Sequence, residues 1–137
     1  MTPQDAYTEL TFYTLSHPDP SFIHQYAVDA FTAQQADSQT KPIGVAFALI
    51  GLYLHVERNE TGRQVQHVHT LLARRRKHWP RFVLPEQRGS ISVSDVLATP
   101  AGPKRDAMIE RWCASVWDAY RASSREQVID LLRSVLD

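Results

Sequence analysis

Residues 42–58 read PIGVAFALIGLYLHVER, and the reading of this stretch decides the fold class. The apolar run within it, 43–54, is well short of the roughly 20 residues that span a bilayer. It therefore reads as a core helix. Lys41-Pro42 opens it, because proline suits the first helical turn, and it runs to about Arg58. On a helical wheel Gly44, Ala48, Gly51 and His55 fall within an arc of about 60°. Two glycines inside a helix cost roughly 1 kcal/mol each against alanine, so something should offset them. One reading is close packing against a second helix. The other is a ligand slot with His55 at its end and Arg58, one turn on, holding an anion. Glu57 diverges from His55 on a helix, so the two are no chelate, and an alternative reading makes Glu57 and Arg58 structural ion-pair partners.

Working outward, the punctuation is helical on both sides. Thr2-Pro3 is an N-cap and first-turn proline, and Ala6, Leu10 and Tyr13 recur until His17-Pro18 breaks the pattern. Asp19-Pro20 gives the same start signal for a helix through FIHQYAVDAF (22–31) to about Gln35, followed by the linker ADSQT. Beyond the apolar helix, Thr61 and Gln64 have capping-box spacing. Val65, Val68, Leu72 and Trp79 then form one stripe on a helix from 62 to about 78, which Pro80 stops. Residues 80–93 are the least helical, with room for a pair of short extended pieces. Ser94 caps a brief turn, SDVLA. Met108, Ile109, Trp112, Val116 and Tyr120 mark a helix over about 103–121, and Ser123 with Glu126 starts a last helix that faces Val128, Leu131, Leu132 and Val135 inward. The expected fold is all-α: a single domain, 1–137, built as a bundle of about five main helices plus a short helix, with an irregular 80–93 segment.

Composition bounds the function. The 137 residues suit one domain with a real core. Hydrophobic residues make up 43% and charged residues 22%, a soluble globular balance. Lys plus Arg equals Asp plus Glu, 15 each, which argues against a protein whose main business is the nucleic-acid backbone. A lone cysteine, Cys113, forms no internal disulfide and no cysteine zinc cage, and it reads as a buried hydrophobe in a reducing cytoplasm. The N-terminus lacks a signal-peptide pattern. His67 and His69 diverge on a helix, so no metal site is expected there. The run ARRRKHWPR, 73–81, reads first as cations complementing a helix carbonyl end, and second as a surface for an acidic partner or nucleic acid through Arg74, Arg75, Arg76, Lys77 and Arg81. Trp79 belongs to the core. No P-loop, dinucleotide fingerprint, nucleophile elbow or HExxH motif is present.

The chemistry-bearing candidates cluster in FIHQYAVDAFTAQ. Phe22, Ile23, Tyr26, Ala27, Ala30 and Phe31 cover one broad face of the wheel, Gln25, Asp29 and Thr32 fall together on the other side, and His24 lies at the boundary. Gln25 and Asp29 can hydrogen-bond as a solvated or interhelical pair. If a second helix covers them they form a buried network, in which His24 could act as general base and Asp29 could orient it.

The blocks HQYAVDAFTAQ, IGLYLHVER, RGSISVSDVLA and WCASVWDAY occur in this order. With them the chain resembles a family of small bacterial proteins described only as a domain of unknown function, in which an HQ-x3-D-x-aromatic helix precedes an IGL-x4-ER helix. The resemblance implies a helical fold and groups His24, Gln25, Asp29, Glu57 and Arg58 as one set. It implies no activity and no cofactor, and the cofactor stays unknown. Gln34-Gln35 stands where relatives would carry a Gln-His pair, and the cysteine-bearing lead segment suggestive of a zinc knuckle in many relatives is missing.

Two functions remain. One is a helical module binding a protein partner or small ligand, with Gln25, His55, Glu57 and Arg58 as ligand-binding candidates and a homodimer among its forms. The other is a metal-dependent or acid–base enzyme with an interhelical site around His24, Asp29 and His55, in which His24 and Asp29 are the catalytic candidates. Nucleic acid is the weakest partner, and no membrane partner is expected.

Overall fold

A computed structural model of the chain describes residues 1–16 and 18–136. Its elements are α1 (Pro3–Ser16), α2 (His24–Gln35), α3 (Pro42–Val56), α4 (Gly62–Arg75), α5 (Val93–Ala98) and α6 (Pro103–Leu136), with no strand among the described residues. The all-α bundle of five long helices and one short one is thus observed. None of these helices is long and apolar enough to cross a membrane.

The apolar helix α3 is the centre. It packs on α2 on one side and α6 on the other, with α4 closing the group, while α1 lies on α2 and α5. Ten of its residues are buried, from Val45 to His55. Their counterparts on α6 are Ile109, Trp112, Val116, Trp117 and Tyr120, all essentially without solvent contact.

Several boundaries differ from the sequence reading. His17, half of the expected break after α1, lies outside the described residues. Asp19-Pro20 does not open a helix: residues 18–23 form a turn with Phe22 left-handed (φ 56°), and α2 starts only at His24. Asp19 still acts as a cap, its two carboxylate oxygens accepting the Ile23 N–H at 3.1 and 3.2 Å. The turn is pinned from the other side by Gly62, whose N–H donates to Ser21 O at 2.6 Å. A Cβ at Gly62 would collide with the Phe22 carbonyl, so this position excludes a side chain.

The Thr61–Gln64 box forms as expected, with both reciprocal bonds present. However, α4 stops at Arg75 and not near 78, because Arg76 turns extended (φ −120°, ψ 141°). That turn lets Trp79 leave the helical stripe and meet Phe47 edge-on, with ring centroids 5.3 Å apart. The cap of α5 is Ser92, paired with Asp95 in a complete capping box, and not Ser94.

The largest difference is at 121–123. The expected break is absent, and α6 is one helix of 34 residues, about 50 Å long. Ser123 does not cap: its hydroxyl donates back to Tyr120 O at 3.2 Å. The inward stripe continues through this point as Trp117, Tyr120, Ser124, Val128 and Leu131, all buried. One continuous seam at helical spacing holds the helix together where a local cap signal suggested a stop.

Residues 76–92 contain no helix or strand. Side chains tie this segment down instead. Gln34 Nε2 donates to Ile91 O (2.7 Å) and Arg88 O (3.1 Å), and its Oε1 accepts Trp112 Nε1 at 2.9 Å. Arg88 donates to the carbonyls of Pro85, Gln34 and Ala36.

Candidate functional site

Asp29 projects from α2 onto α3. The carboxyl is buried, and its Oδ1 accepts Gln25 Nε2 at 3.0 Å, one helical turn away. Its Oδ2 has no hydrogen-bond partner. The oxygen rests against Gly51: a Cβ there would overlap Oδ2 and lie 2.5 Å from Asp29 Cγ. The small-residue stripe of α3 is therefore a notch, and the Asp29 carboxyl fills it. Burial pushes the carboxyl well above its usual range, against the opposing effect of the Gln25 hydrogen bond. A group so placed gives up its proton less readily than a solvated carboxyl.

The far end of the stripe is filled as well. Tyr26 stacks on His55 with centroids 3.6 Å apart, and its hydroxyl donates to Glu60 O at 2.9 Å. His55 is only 8% exposed, and its Nδ1 has no partner. Burial lowers its basicity, with the Glu60 main chain acting the other way. Gly44 is different. A Cβ there would meet only Thr40 Cγ2, at an ordinary 3.7 Å. Gly44→Ala is therefore expected to stabilise the protein by up to about 1 kcal/mol, from helix propensity alone. A urea melt showing lost stability would reveal a neighbour that this geometry does not contain.

His24 belongs elsewhere. Its Nδ1 lies 2.9 Å from Thr14 Oγ1 on α1, and its ring meets Phe22 edge-on. No hydrogen bond joins it to Asp29. Glu57, at the end of α3, faces α6. It accepts Trp117 Nε1 at 2.7 Å and Arg125 Nε at 2.9 Å, with Arg121 3.9 Å away. Burial works against its charge, but the Trp117 and Arg125 hydrogen bonds and the two guanidinium charges prevail, leaving the carboxyl below its ordinary value. Arg58 is exposed and makes no ion pair among the described residues. The grouped set thus separates: His24 of α2 faces α1, Gln25 and Asp29 meet the α3 notch, Glu57 at the end of α3 faces α6, and Arg58 is in solvent.

Among the described residues no group of three or more His, Cys, Asp or Glu side chains could hold a metal ion. His69 is committed to packing: it stacks on Phe47 at 4.3 Å, its Nε2 lies 2.9 Å from Phe47 O, and burial lowers its pKa to about 4. Cys113 is buried, donating to Tyr26 O at 3.4 Å, and burial raises its thiol pKa. Of the basic run, Arg75 donates to Ser134 O and Arg76 lies over Trp79, while Arg74, Lys77 and Arg81 are exposed.

Sequence reasoning missed Gln34 and Arg88. Both are polar residues that reach main-chain carbonyls more than 50 positions away, and no local pattern announces that. It also missed the outer face of α1. There Phe12 is 73% and Leu15 57% exposed. They border a shallow groove of about 410 Å³ with Gln4, Tyr7, Thr8 and Thr11. A second cleft, between the 18–23 turn and α6, is lined by Asp19, Tyr26, Asn59, Thr61, Asp106 and Glu110. Two of its acids are engaged, Asp19 with the Ile23 N–H and Asp106 with the Tyr13 hydroxyl.

No curated protein and no solved structure matches the chain. The model of a family of unknown function (DUF5946) matches residues 3–121, most of the chain, so the chain belongs to that family.

Proposed function

We propose that this family member is a non-catalytic helical module, folded as a single domain over 1–137, that docks a protein partner on the outer face of α1. The observation that carries this is the exposure of Phe12 and Leu15 on one helix face, while the opposite face buries Ala6, Leu10 and Thr14. Large apolar side chains grouped beside a groove mark interaction surfaces more often than isolated ones do. In this reading Gln25, Asp29, His55 and Glu57 serve the scaffold. A photo-crosslinker placed at Thr8 identifies the partner, which is then purified and titrated. Phe12→Ser with Leu15→Ser should leave the melting temperature essentially unchanged and weaken binding at least tenfold. Unchanged affinity in that variant would sink the proposal.

A second reading keeps acid–base or metal chemistry at His24, Asp29 and His55. It is favoured by two buried polar atoms without partners, Asp29 Oδ2 and His55 Nδ1. Elemental mass spectrometry after incubation with zinc, manganese and iron(II) tests its metal form. Near-stoichiometric metal that disappears in a folded His24→Ala variant would favour this reading over the first.

A further inference from the structure

The zero net charge conceals a segregation. Residues 1–40 contain five Asp or Glu and no Lys or Arg, whereas residues 41–137 carry all 15 cations against ten acids. α1 and α2 lie entirely in the acidic part. On α1, Asp5 and Glu9 are exposed and flank Phe12 along one side of the groove, at spacings that place them on adjoining turns. Among the described residues the exposed large hydrophobic ones are Met1, Phe12, Leu15 and Val83. Val83 is 62% exposed and lies in the basic part, close in sequence to the exposed Lys77 and Arg81, neither of which forms an ion pair among the described residues. Phe12 and Leu15 thus stand beside acids on α1, and Val83 stands within six residues of two exposed cations along the chain. The two regions lean on different neighbours: α1 on α2 and α5, the 77–83 segment on Phe47 of α3 and Gln127 of α6.

Resting on the docking reading above, we propose that the occupant of the α1 face is a second copy of this chain, which presents its 77–83 surface. Val83 would meet Phe12 and Leu15, and Lys77 and Arg81 would meet Asp5 and Glu9. Pairing α1 with α1 would instead oppose acids to acids, which like-charge repulsion disfavours. Zero net charge removes the long-range repulsion that keeps many proteins apart. The contact joins two different surfaces, so it is head-to-tail, and it continues into rings or open chains instead of stopping at a two-fold dimer.

Sedimentation velocity over a concentration series, in low and in high salt, tests this with wild type, Phe12→Asp and Val83→Asp. Both substitutions are at exposed positions. Wild type should grow in mass with concentration and revert toward monomer in high salt. Each variant alone should associate at least tenfold more weakly. Their mixture should form a complex that stops at one copy of each, because each variant retains the surface the other lacks. Wild type that stays monomeric at every concentration overturns self-association and leaves the α1 docking reading standing on its own partner titration. Loss of association in Phe12→Asp alone, with Val83→Asp unaffected, overturns the head-to-tail arrangement but keeps α1 as the surface. Association that neither variant weakens overturns both.

Discussion

Gly51→Ala is expected to destabilise the protein by about 3 kcal/mol, at the upper end of the overpacking range. In most helices this substitution helps, by roughly 1 kcal/mol. Here the new methyl would overlap the buried Asp29 carboxyl, with Cγ itself only 2.5 Å away. Asp29 has a short side chain, so it can move aside only by changing rotamer and abandoning Gln25. The informative experiment adds Asp29→Ala. Alone, that change empties the notch and leaves the Gln25 amide without its partner, a loss of about 1–3 kcal/mol. Combined with Gly51→Ala, the methyl occupies the space the carboxyl vacated. The double variant should then be more stable than the sum of the singles predicts by about 2 kcal/mol, a coupling typical of residues in direct contact. Additive losses in chemical denaturation would show that the two positions do not share a space.

The second large effect is on pH dependence. The buried Asp29 carboxyl is raised well above 3.8 in the folded state, so the folded protein keeps a proton that the unfolded chain releases. Stability contributed by this group therefore falls as pH rises above about 4 and continues to fall until the folded carboxyl ionises, by at most roughly 1.4 kcal/mol per pH unit. Asp29→Asn keeps the shape and removes the ionisation. It should be more stable than wild type, with an advantage that grows as pH rises above about 4. His69, His55 and His24 act in the opposite direction, because burial lowers all three. Their contribution is lost as pH falls through the histidine range, and it is common to both proteins, so the difference between the two curves isolates Asp29. Parallel curves would contradict a buried, protonated carboxyl.

Each half of this contact could be read from the sequence, but the contact itself could not. The glycine stripe of 42–58 and the polar strip of Gln25 and Asp29 follow from helical periodicity, which depends only on near neighbours. Their meeting depends on how α2 and α3 are placed, and no local spacing encodes that. The same reason separates His24 from Asp29: one block of sequence holds both, but a helix turns them toward different neighbours. The capping boxes make the point within one motif type. Thr61 and Gln64 form theirs, and Ser92 with Asp95 forms one two residues before the Ser94 that the pattern suggests, while Ser123 and Glu126 have the right spacing inside an unbroken helix. A capping box needs its first residue extended, and the continuous buried seam through Ser124 holds that backbone helical. Family membership is legible because four blocks stand in order along the chain, whereas function depends on the geometry between helices.

The way the 76–92 segment is held has a practical consequence for protein engineering. Gln34 and Arg88 grip carbonyl oxygens, and a carbonyl presents the same acceptor whichever side chain follows it. Glu86, Gln87 and Ser90 are exposed within this frame. The path of the segment is thus set without reference to their identity. Those three positions form a ready graft site, where an epitope, a fluorophore or a peptide from another protein can be written into an ordered backbone while the bundle beneath remains unchanged.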